Sequence, residues 1–375
     1  MKEEITIEEV LQKDKSEYVI VDIRDELAFE YGHIPNSILI PMDKIDGAEL
    51  PRNKELYICC RSGIISDEVA EKLRARGFAA YNLKGGYVEW LRRSTRDMAA
   101  VETTKRAEES IRKKFHKKLF SKFAKAIVTY DLIQPNDHIA VCISGGKDSM
   151  LMAKLFQELQ RHHKFEFGLT FLVMDPGYSA ENREIIERNA KILGIPITVF
   201  ETDIFENVFN IEKSPCYICA RMRRGHLYNK AKELGCNKIA LGHHYDDVIE
   251  TILMGMLYGG QIQTMMPKLK STNFEGMELI RPMYLIREDD IKAWRDYNHL
   301  QFIQCACKFT DTCTSCNPSN TGSKRQKVKE LIRELRAEDA EIEPNIFGSM
   351  ENVNLATVIA YKDKDGKKHY FTDEY

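Results

Sequence analysis

The side chains best suited to chemistry in this sequence are its ten cysteines. Cys60 ends a short apolar run and begins a loop, residues 60–66, that leads into a helical pattern. The N–H groups of such a loop, together with the positive end of the following helix, favour a thiolate or a persulfide. The loop alone is also compatible with a buried structural thiol, which is what we expect of Cys59, Cys142 and Cys236.

Six further cysteines are divided between two segments. Cys216 and Cys219 form a C-x-x-C pair, and the others lie far downstream at Cys305, Cys307, Cys313 and Cys316. The pair by itself is compatible with redox, zinc or iron–sulfur chemistry. The four downstream cysteines would suffice for a closed four-thiolate zinc site. The alternative is a 4Fe–4S cluster held by Cys216, Cys219 and one downstream cysteine, which leaves one iron open for an exogenous sulfide.

A phosphate site is predicted where an apolar strand pattern, residues 139–143, meets an amphipathic helix pattern. The junction consists of Ser144, Gly145, Gly146, Lys147, Asp148 and Ser149. Its two glycines permit a tight turn that directs N–H groups at an anion. The helix N-terminus adds partial positive charge and the lysine adds a full one. The spacing differs from that of the Walker A loop, which has four residues between its first glycine and the Gly-Lys pair.

Two regions of alternating strand and helix patterns must position these residues. Residues 1–92 predict a small α/β domain. Residues 126–335 predict a larger one, with strands at 138–143, 168–174, 197–200 and 238–241. Such alternation indicates a doubly wound parallel sheet, which binds its ligands at the carboxyl ends of the strands.

The segments outside these two domains have their own composition. Residues 93–125 predict a basic helical linker, since Arg92 to Lys125 contain twelve Lys or Arg and four Asp or Glu. This charge is compatible with a solvated helix face or with a surface for the phosphate backbone of folded RNA. Residues 336–375 predict a C-terminal tail with a β-hairpin that turns at Asp365-Gly366.

Composition restricts the class of protein. Hydrophobic residues make up 43% and charged residues 30% of the chain, which is typical of a soluble globular protein. A net charge of −2 argues against a basic field over the whole molecule. The apolar runs are shorter than the ~20 residues of a membrane span, and the N-terminus lacks the apolar segment of a signal peptide. We therefore expect a cytoplasmic protein without membrane contact, whose cysteines are not paired in disulfides.

Four motifs of the first region occur in an order that resembles a single rhodanese domain. They are Asp22-Ile23-Arg24, residues 32–41, the Cys60 loop and residues 85–90. The resemblance implies that Cys60 is the catalytic residue and carries sulfane sulfur as a persulfide. Many rhodanese loops have Arg where Ile65 stands, so the departure favours an upstream protein donor, such as a cysteine desulfurase, over thiosulfate.

The hexapeptide at 144–149 resembles the loop of PP-loop ATP pyrophosphatases, whose fold is similar to that of adenine nucleotide alpha hydrolases. These enzymes cleave ATP to AMP and pyrophosphate while adenylating a substrate oxygen. The resemblance implies that the hexapeptide binds ATP and that Asp175, Gly242 and His243 line the same site. It also implies that Asp247 holds the Mg²⁺ that accompanies ATP.

The larger region, residues 112–354, is similar to the tRNA 2-thiocytidine synthetase (TtcA-type) family. The motifs that carry this resemblance are the hexapeptide, the Cys216/Cys219 pair and residues 242–247, 258–260, 266–269, 280–283 and 287–291. The family implies a tRNA substrate and an oxygen-sensitive 4Fe–4S cluster with three cysteine ligands. Counting forward from residues 287–291 places the third ligand at Cys305, which we prefer, whereas counting back from the basic segment 323–331 places it at Cys313. The remaining cysteines, Cys307 and Cys316 among them, are left open for an additional zinc site, a further cluster ligand or a persulfide relay.

The sequence therefore predicts a rhodanese domain fused to a PP-loop enzyme for tRNA thiolation of the 2-thiocytidine type. The base carbonyl would be adenylated and its oxygen replaced by sulfur through the cluster, with Cys60 as the supplier. The first alternative is a PP-loop enzyme that thiolates another nucleoside or adenylates a different substrate. The second is a non-catalytic, zinc-containing sulfur carrier or RNA-binding protein. The sequence leaves open whether the chain forms a homodimer.

Overall fold

The computed structural model describes residues 3–96, 100–162, 165–205, 215–303, 324–363 and 365–374. The chain divides into two compact units. The first comprises Met1–Tyr245 and Met266–Thr321, and the second comprises Asp246–Met265 and Gly322–Tyr375. Among the helices within the described ranges, none is long and apolar enough to cross a membrane.

The N-terminal part of the first unit is a five-stranded parallel sheet in the order β1-β5-β4-β2-β3. Its strands are β1 Glu4–Ile5, β2 Tyr18–Asp22, β3 Ile38–Leu39, β4 Glu55–Cys59 and β5 Ala80–Leu83. Its helices are α1 Ile7–Gln12, α2 Glu26–Tyr31, α3 Ile65–Ala75 and α4 Gly86–Arg96. The middle strand β4 is buried from Leu56 to Cys59, as expected for a strand covered on both faces. Asp25 caps α2 by accepting from the Ala28 N–H, and Gly32 ends that helix.

The larger part of the first unit is a six-stranded sheet in the order β10-β11-β9-β6-β7-β8. Its strands are β6 His138–Ile143, β7 Gly168–Asp175, β8 Ile197–Glu201, β9 Lys238–Ala240, β10 Lys268–Lys270 and β11 Glu278–Ile280. All neighbouring strands are parallel except the edge pair β10 and β11. The helices that accompany it are α7 Lys147–His162, α8 Ala180–Ile192, α9 Pro215–Glu233 and α11 Glu288–Tyr297.

The predicted fold class is thereby confirmed, with two α/β domains built on parallel sheets. Within the larger sheet, β7 lies on one side of β6 and β9 lies on the other. The chain therefore changes direction across the sheet at β6, and such a switch point opens a crevice at the carboxyl ends of the strands. The loops after β6 and β9 border this crevice, and they contain the predicted phosphate loop and residues 242–244.

The basic segment between the two sheets is helical and amphipathic. It contains α5 Ala100–Arg112, a π-helical turn at His116–Phe120 and α6 Ser121–Thr129. Phe115, Leu119 and Phe123 are buried, whereas Lys117 and Lys118 between them are exposed. The ring of Phe123 packs edge-on against Phe156 of α7, with 5.1 Å between ring centroids. The apolar stripe thus anchors the segment to the larger sheet and leaves its positive charge at the surface.

The hydrophobic core of the first unit continues from one sheet into the other. One cluster of buried side chains includes Tyr87 and Leu91 of α4 together with Ile111 of α5 and Ile186 of α8. Helices α4 and α8 pack against each other, and Arg92 Nε lies 2.7 Å from a Glu184 carboxylate oxygen. The two domains therefore share an apolar interface.

The second unit contains most of α10 Tyr245–Gly259, together with α12 Lys324–Glu338 and α13 Ile342–Gly348. Its tail forms an antiparallel pair, β12 Ala360–Lys362 and β13 Lys368–Tyr370. Glu250 is buried, and its carboxylate lies 2.7 Å from Arg325 Nε and 3.5 Å from Lys329 Nζ. Burial raises the pKa of Glu250 above its usual value, and the two cations oppose that shift.

Candidate active site

The sulfur of Cys60 lies in a cradle of hydrogen-bond donors at the end of β4. The Gly63 N–H donates to Cys60 Sγ at 3.1 Å, and the Ser66 hydroxyl lies at the same distance from it. The Ser66 hydroxyl also lies 2.7 Å from Asn82 Oδ1, so its single proton serves one of the two acceptors at a time. Asn82 Nδ2 donates to the Gly63 carbonyl at 2.9 Å and fixes the loop. This cradle can stabilise negative charge on sulfur, which is the chemistry predicted for Cys60.

The neighbouring thiol of Cys59 is unsuited to the same chemistry. Its side chain is fully buried, and burial, together with the Asp22 carboxylate, holds the pKa of the Cys59 thiol well above its usual value. A thiol that stays protonated is a poor nucleophile. The two adjacent cysteines therefore differ in environment, as the sequence predicts.

A glycine in the left-handed region is required at the turn of the cysteine loop. Gly63 has φ +86°, and a Cβ at this position would lie 2.7 Å from the Gly85 backbone nitrogen. Gly85 immediately precedes α4, so the cysteine loop and the start of α4 are in close backbone contact. The Tyr87 N–H donates to the Cys60 carbonyl at 2.9 Å and continues that contact.

The phosphate loop forms the predicted turn between β6 and α7. Gly145 has φ +87°, a conformation that a residue with a side chain rarely adopts. The Ser144 N–H donates to Ser149 Oγ at 3.1 Å, and the Ser149 hydroxyl donates to the Gly146 carbonyl at 3.0 Å. Gly242, after β9, lies against the same turn, since a Cβ there would be 3.3 Å from the Ser149 nitrogen. The structure thus brings the hexapeptide and Gly242 together.

The cation of the phosphate loop is buried between carboxylates. Lys147 is 2% exposed, and its ammonium lies 3.1 Å from Asp148 Oδ1 and 3.0 Å from Glu288 Oε1. Burial acts to lower the pKa of Lys147, but the negative charge of Asp148 and Glu288 outweighs it and holds that pKa above its usual value. Lys147 is therefore a permanent cation next to the loop amides, and this charge suits it to bind phosphate.

A residue that the sequence analysis missed lies on this loop. The Lys147 N–H donates to the hydroxyl of Tyr31 at 3.0 Å, and the Lys147 ammonium lies 4.7 Å from the centroid of the Tyr31 ring. Tyr31 ends α2 of the N-terminal domain. Burial raises the pKa of Tyr31 to about 12, so its phenol is neutral at physiological pH. The sequence contains no signal for this contact beyond the helix stop at Gly32.

Three charged side chains of α11 lie at the same corner, and the sequence analysis assigned none of them to it. Glu288 pairs with Lys147, as described above. The Arg295 guanidinium donates to the carbonyls of Glu30 and Tyr31, at 3.4 Å for Glu30. Lys292 Nζ lies 3.7 Å from a Glu30 carboxylate oxygen. Helix α11 therefore contacts both the phosphate loop and the last turn of α2.

The other residues predicted for the ATP site have different surroundings. Asp175 ends β7, and its Oδ1 accepts from the N–H groups of Gly177 at 2.9 Å and Tyr178 at 2.6 Å. Its other oxygen lies 3.2 Å from Arg183 Nη1, so this carboxylate shapes the turn after β7. His243 is half-buried after Gly242, while His244 Nε2 lies 3.9 Å from Asp148 Oδ1.

Asp247, the predicted magnesium ligand, belongs to the second unit. Its carboxylate lies 3.2 Å from Arg325 Nη2, and Glu250 accepts from the same guanidinium. Carboxylates next to one another are suited to a hard divalent cation. The assignment of Mg²⁺ to Asp247 stays a prediction.

Of the three predicted cluster ligands, Cys219 has a described side chain. It is half-buried on α9 and packs against a cluster formed by Met174 and Ile204. Because Met174 precedes the last residue of β7, this thiol lies near the carboxyl edge of the sheet that also carries the phosphate loop. Cys216 belongs to α9, but its side chain is outside the described residues, and so are Cys305, Cys307, Cys313 and Cys316.

Comparison with known proteins assigns both sheets to families. The family model of the PP-loop domain matches residues 111–309, and that of the rhodanese-like domain matches residues 6–93. The tRNA-cytidine(32) 2-sulfurtransferase of Anaeromyxobacter dehalogenans is 34% identical over 243 residues, which are 64% of this chain and 80% of that protein. The chain belongs to the PP-loop tRNA 2-sulfurtransferase family. It is a tRNA sulfurtransferase of the ATP pyrophosphatase, AMP-forming type.

A second curated relative supports this assignment. The tRNA-cytidine(32) 2-sulfurtransferase of Syntrophotalea carbinolica is 35% identical over 246 residues, covering 64% of this chain and 91% of that protein. Among solved structures, the U34-tRNA thiolase NcsA from Methanococcus maripaludis, determined with its 4Fe–4S cluster, is 22% identical. That match covers 62% of this chain and 76% of the other, with a TM-score of 0.49. Membership of the sulfurtransferase family argues against the non-catalytic alternative, because it assigns ATP-dependent tRNA thiolation to this chain.

Proposed function

We propose that this enzyme replaces the C2 oxygen of a cytidine in tRNA with sulfur, and that Cys60 supplies the sulfur. The observation that carries the proposal is the presence of two anion cradles in one compact unit, one around Cys60 and one formed by the phosphate loop. The relatives named tRNA-cytidine(32) 2-sulfurtransferase support cytidine as the substrate and position 32 as its place in the tRNA.

ATP activates the base in this proposal. Its phosphates bind to the amides of residues 144–149, while Asp175, Gly242 and His243 line the site around the nucleotide. The C2 oxygen of the cytidine attacks the α-phosphorus, and the bond to pyrophosphate breaks. Lys147 stabilises the charge that develops on the leaving pyrophosphate, because it is held protonated beside the loop. The base oxygen is thereby converted into a leaving group, AMP.

Two further groups are assigned to residues of this chain. Asp247 would hold Mg²⁺, which neutralises phosphate charge when it is bound. Cys216, Cys219 and Cys305 would hold a 4Fe–4S cluster, which when bound offers an open iron for sulfide. The position of Cys219 near the carboxyl edge of the larger sheet fits a ligand of a centre that works beside the phosphate loop.

Sulfur enters through Cys60. A persulfide on Cys60 would be stabilised by the Gly63 N–H and the Ser66 hydroxyl, which already point at the sulfur. Release of its outer sulfur as sulfide requires two electrons, which a second thiol supplies as it forms a disulfide with Cys60. The sulfide then replaces AMP at C2 of the base.

The surface beside Cys60 fits a protein as the sulfur donor. Ile64, within the cysteine loop, is 67% exposed, and an apolar side chain at the mouth of the loop suits contact with another protein. Ile65, which begins α3, replaces the cation that would attract a small anionic donor. We propose that a cysteine desulfurase or a similar persulfide carrier loads Cys60.

The helical segment between the domains is the proposed tRNA surface. Most of its lysines are exposed while Phe115, Leu119 and Phe123 are buried, so much of the positive charge faces outward. The exposed lysines are Lys113, Lys114, Lys117, Lys118 and Lys125. Phosphate contacts of this kind position folded RNA without reading its sequence. Binding through this segment would therefore weaken steeply as the salt concentration rises.

The test is mass spectrometry of tRNA nucleosides from cells that lack this protein. We expect 2-thiocytidine to disappear from tRNA and to return when the intact gene is restored. Loss of a different thionucleoside, with 2-thiocytidine unchanged, would support the alternative of another nucleoside substrate. Unchanged thionucleosides of every kind would contradict the proposal as a whole.

A further inference from the structure

The phosphate loop is already in contact with a group from another domain. Tyr31 of α2 places its hydroxyl 3.0 Å from the Lys147 nitrogen, where it accepts the amide hydrogen bond. A Cβ added to Gly146 would lie 2.9 Å from the same hydroxyl, so the phenol sits directly on the turn. The Lys147 ammonium faces the Tyr31 ring at 4.7 Å. Tyr31 therefore contacts both groups of Lys147 that are suited to bind a phosphate.

A phosphate oxygen and the Tyr31 hydroxyl cannot accept the same N–H at full strength. An amide has one proton, and the first amides of a helix have no partner within the helix. In the structure the phenol fills that role for Lys147. A phosphate group carries full negative charge and binds such an amide more strongly than a neutral phenol does. When both are present, the phosphate takes the position and the phenol leaves.

We propose that Tyr31 is an internal plug of the phosphate loop, which ATP must displace in order to bind. The proposal rests on the proposed binding of the ATP phosphates to residues 144–149. The plug satisfies the Lys147 amide when no nucleotide is bound and lowers the apparent affinity for ATP. The rhodanese-like domain thereby regulates the ATP site of the enzyme to which it is fused.

The support of Tyr31 connects this plug to the cysteine loop. Arg295 donates to the backbone carbonyls of Glu30 and Tyr31. These hydrogen bonds fix the backbone from which the Tyr31 side chain extends to the phosphate loop. The next residue, Gly32, accepts from Arg24 Nη2 at 2.8 Å, and the Arg24 guanidinium lies 4.0 Å from the ring centroid of Tyr87. The Tyr87 N–H in turn binds the carbonyl of Cys60, as described above. A continuous set of contacts thus joins the sulfur loop to the plug.

The test measures ATP binding to the full-length protein. The probe is Mg²⁺ with a non-hydrolysable ATP analogue, followed by isothermal titration calorimetry. Tyr31→Phe removes the hydroxyl and keeps the ring, so we expect binding two- to tenfold tighter than in the wild type, the range set by one neutral hydrogen bond. Tyr31→Leu also removes the ring beneath Lys147, and we expect it to bind more tightly still. Tyr18→Phe, a tyrosine of β2 in the same domain, is the matched control and should leave the affinity unchanged.

Each outcome decides between the alternatives. An unchanged affinity of Tyr31→Phe, with clear binding to the wild type, overturns the plug and leaves the proposed ATP site intact. Weaker binding also overturns it, because it assigns Tyr31 to the bound nucleotide. If neither wild type nor variants bind the analogue, the proposed function fails and the plug fails with it.

A second measurement keeps a tyrosine ring and hydroxyl at position 31, so it does not depend on removing the contact. A 3-fluorotyrosine placed at position 31 reports the surroundings of the phenol by ¹⁹F NMR. We expect its resonance to narrow and to move towards the value of a solvent-exposed tyrosine when the analogue is added. A resonance that keeps its nucleotide-free position at saturating analogue overturns the proposal.

Discussion

The loop that carries Cys60 and the loop of residues 144–149 both follow an interior strand of a parallel sheet, and both lead into a helix. Each contains a glycine in the left-handed region, Gly63 in one and Gly145 in the other. The cysteine loop surrounds an atom of its own chain, so its donors have their acceptor at all times. In the phosphate loop, the Lys147 N–H donates to an acceptor from the other domain, the hydroxyl of Tyr31. The donors of the cysteine loop therefore act within one domain, whereas the phosphate loop makes a contact between two.

The largest effect is expected when the sulfur of Cys60 is removed. Cys60→Ala should abolish persulfide formation on the rhodanese-like domain, because the neighbouring thiol of Cys59 is fully buried and stays protonated. Release of pyrophosphate from ATP in the presence of tRNA should continue, since the phosphate loop is unchanged. Cyanolysis quantifies the sulfane sulfur, and a pyrophosphate assay measures the activation step. Cys59→Ala is the control. We expect this variant to retain the persulfide on Cys60, because Cys59 is buried and protonated. Loss of both activities in Cys60→Ala would show that the loops do not act separately.

The reciprocal change is Lys147→Met in the phosphate loop. We expect pyrophosphate release to fall about 100- to 1000-fold, the usual effect of losing one group that stabilises transition-state charge. Sulfane sulfur on Cys60 should be unaffected. Lys191→Met, an exposed lysine of α8, is the control and should keep full activity. A Lys147→Met enzyme with wild-type pyrophosphate release would remove Lys147 from the mechanism.

The two glycines differ in what surrounds them. A Cβ at Gly63 would meet the backbone nitrogen of Gly85 at 2.7 Å, whereas a Cβ at Gly145 would meet the side chain of Ile186 at 2.5 Å. Backbone cannot move aside as a side chain can, so we expect Gly63→Ala to destabilise the protein by ~2–3 kcal/mol and Gly145→Ala by ~1–2 kcal/mol. Urea unfolding measures both. Gly225 lies within α9, and an added Cβ there would have no heavy atom within 4 Å. Gly225→Ala should therefore not destabilise the protein. A larger loss of stability in Gly145→Ala than in Gly63→Ala would contradict this explanation.

The smallest expected effect concerns the second donor to sulfur. Ser66→Ala removes the hydroxyl 3.1 Å from Cys60 Sγ and keeps the Gly63 N–H. Loss of one such hydrogen bond is worth ~0.5–1.5 kcal/mol. We therefore expect alkylation of Cys60 by iodoacetamide at neutral pH to slow by about two- to tenfold. Ser62→Ala, in the same loop, is the control. An unchanged alkylation rate in Ser66→Ala would show that the Ser66 hydroxyl does not stabilise the sulfur and that the Gly63 N–H is the effective donor.

The sequence predicts features that depend on neighbours along the chain. Strand β6 at His138–Ile143 is the predicted run, and the turn at Gly145 follows from two glycines before a helix. Contacts made across the fold left no local signal, and even Glu288, which lies in the motif at 287–291, carries no indication of its pairing with Lys147. Tyr31, Glu288 and Arg295 come to the phosphate loop from elements far apart in the chain, and only the packing of the domains joins them. Strands β10 and β11, of three residues each, are not among the predicted strands.

The candidate site shows the same division. The sequence names Cys60, Lys147 and Gly242, and the structure gives each a specific set of neighbours. The sequence does not distinguish Asp175, whose carboxylate stabilises a turn, from Asp148, which pairs with the buried Lys147. Carboxylates after strands are alike in sequence, and their partners are set by backbone geometry. The choice between Cys305 and Cys313 lies outside the described residues and stays a prediction.

The apolar core shared by the two α/β domains has a thermodynamic consequence. Leu91 and Ile111 are each 1% exposed, and they belong to one cluster although they lie in helices on either side of the domain boundary. Excision of the first 92 residues would uncover an apolar face and leave a fragment inclined to aggregate. The first unit should therefore unfold in a single cooperative transition on heating. Sulfur loading and nucleotide activation would then be lost at the same temperature.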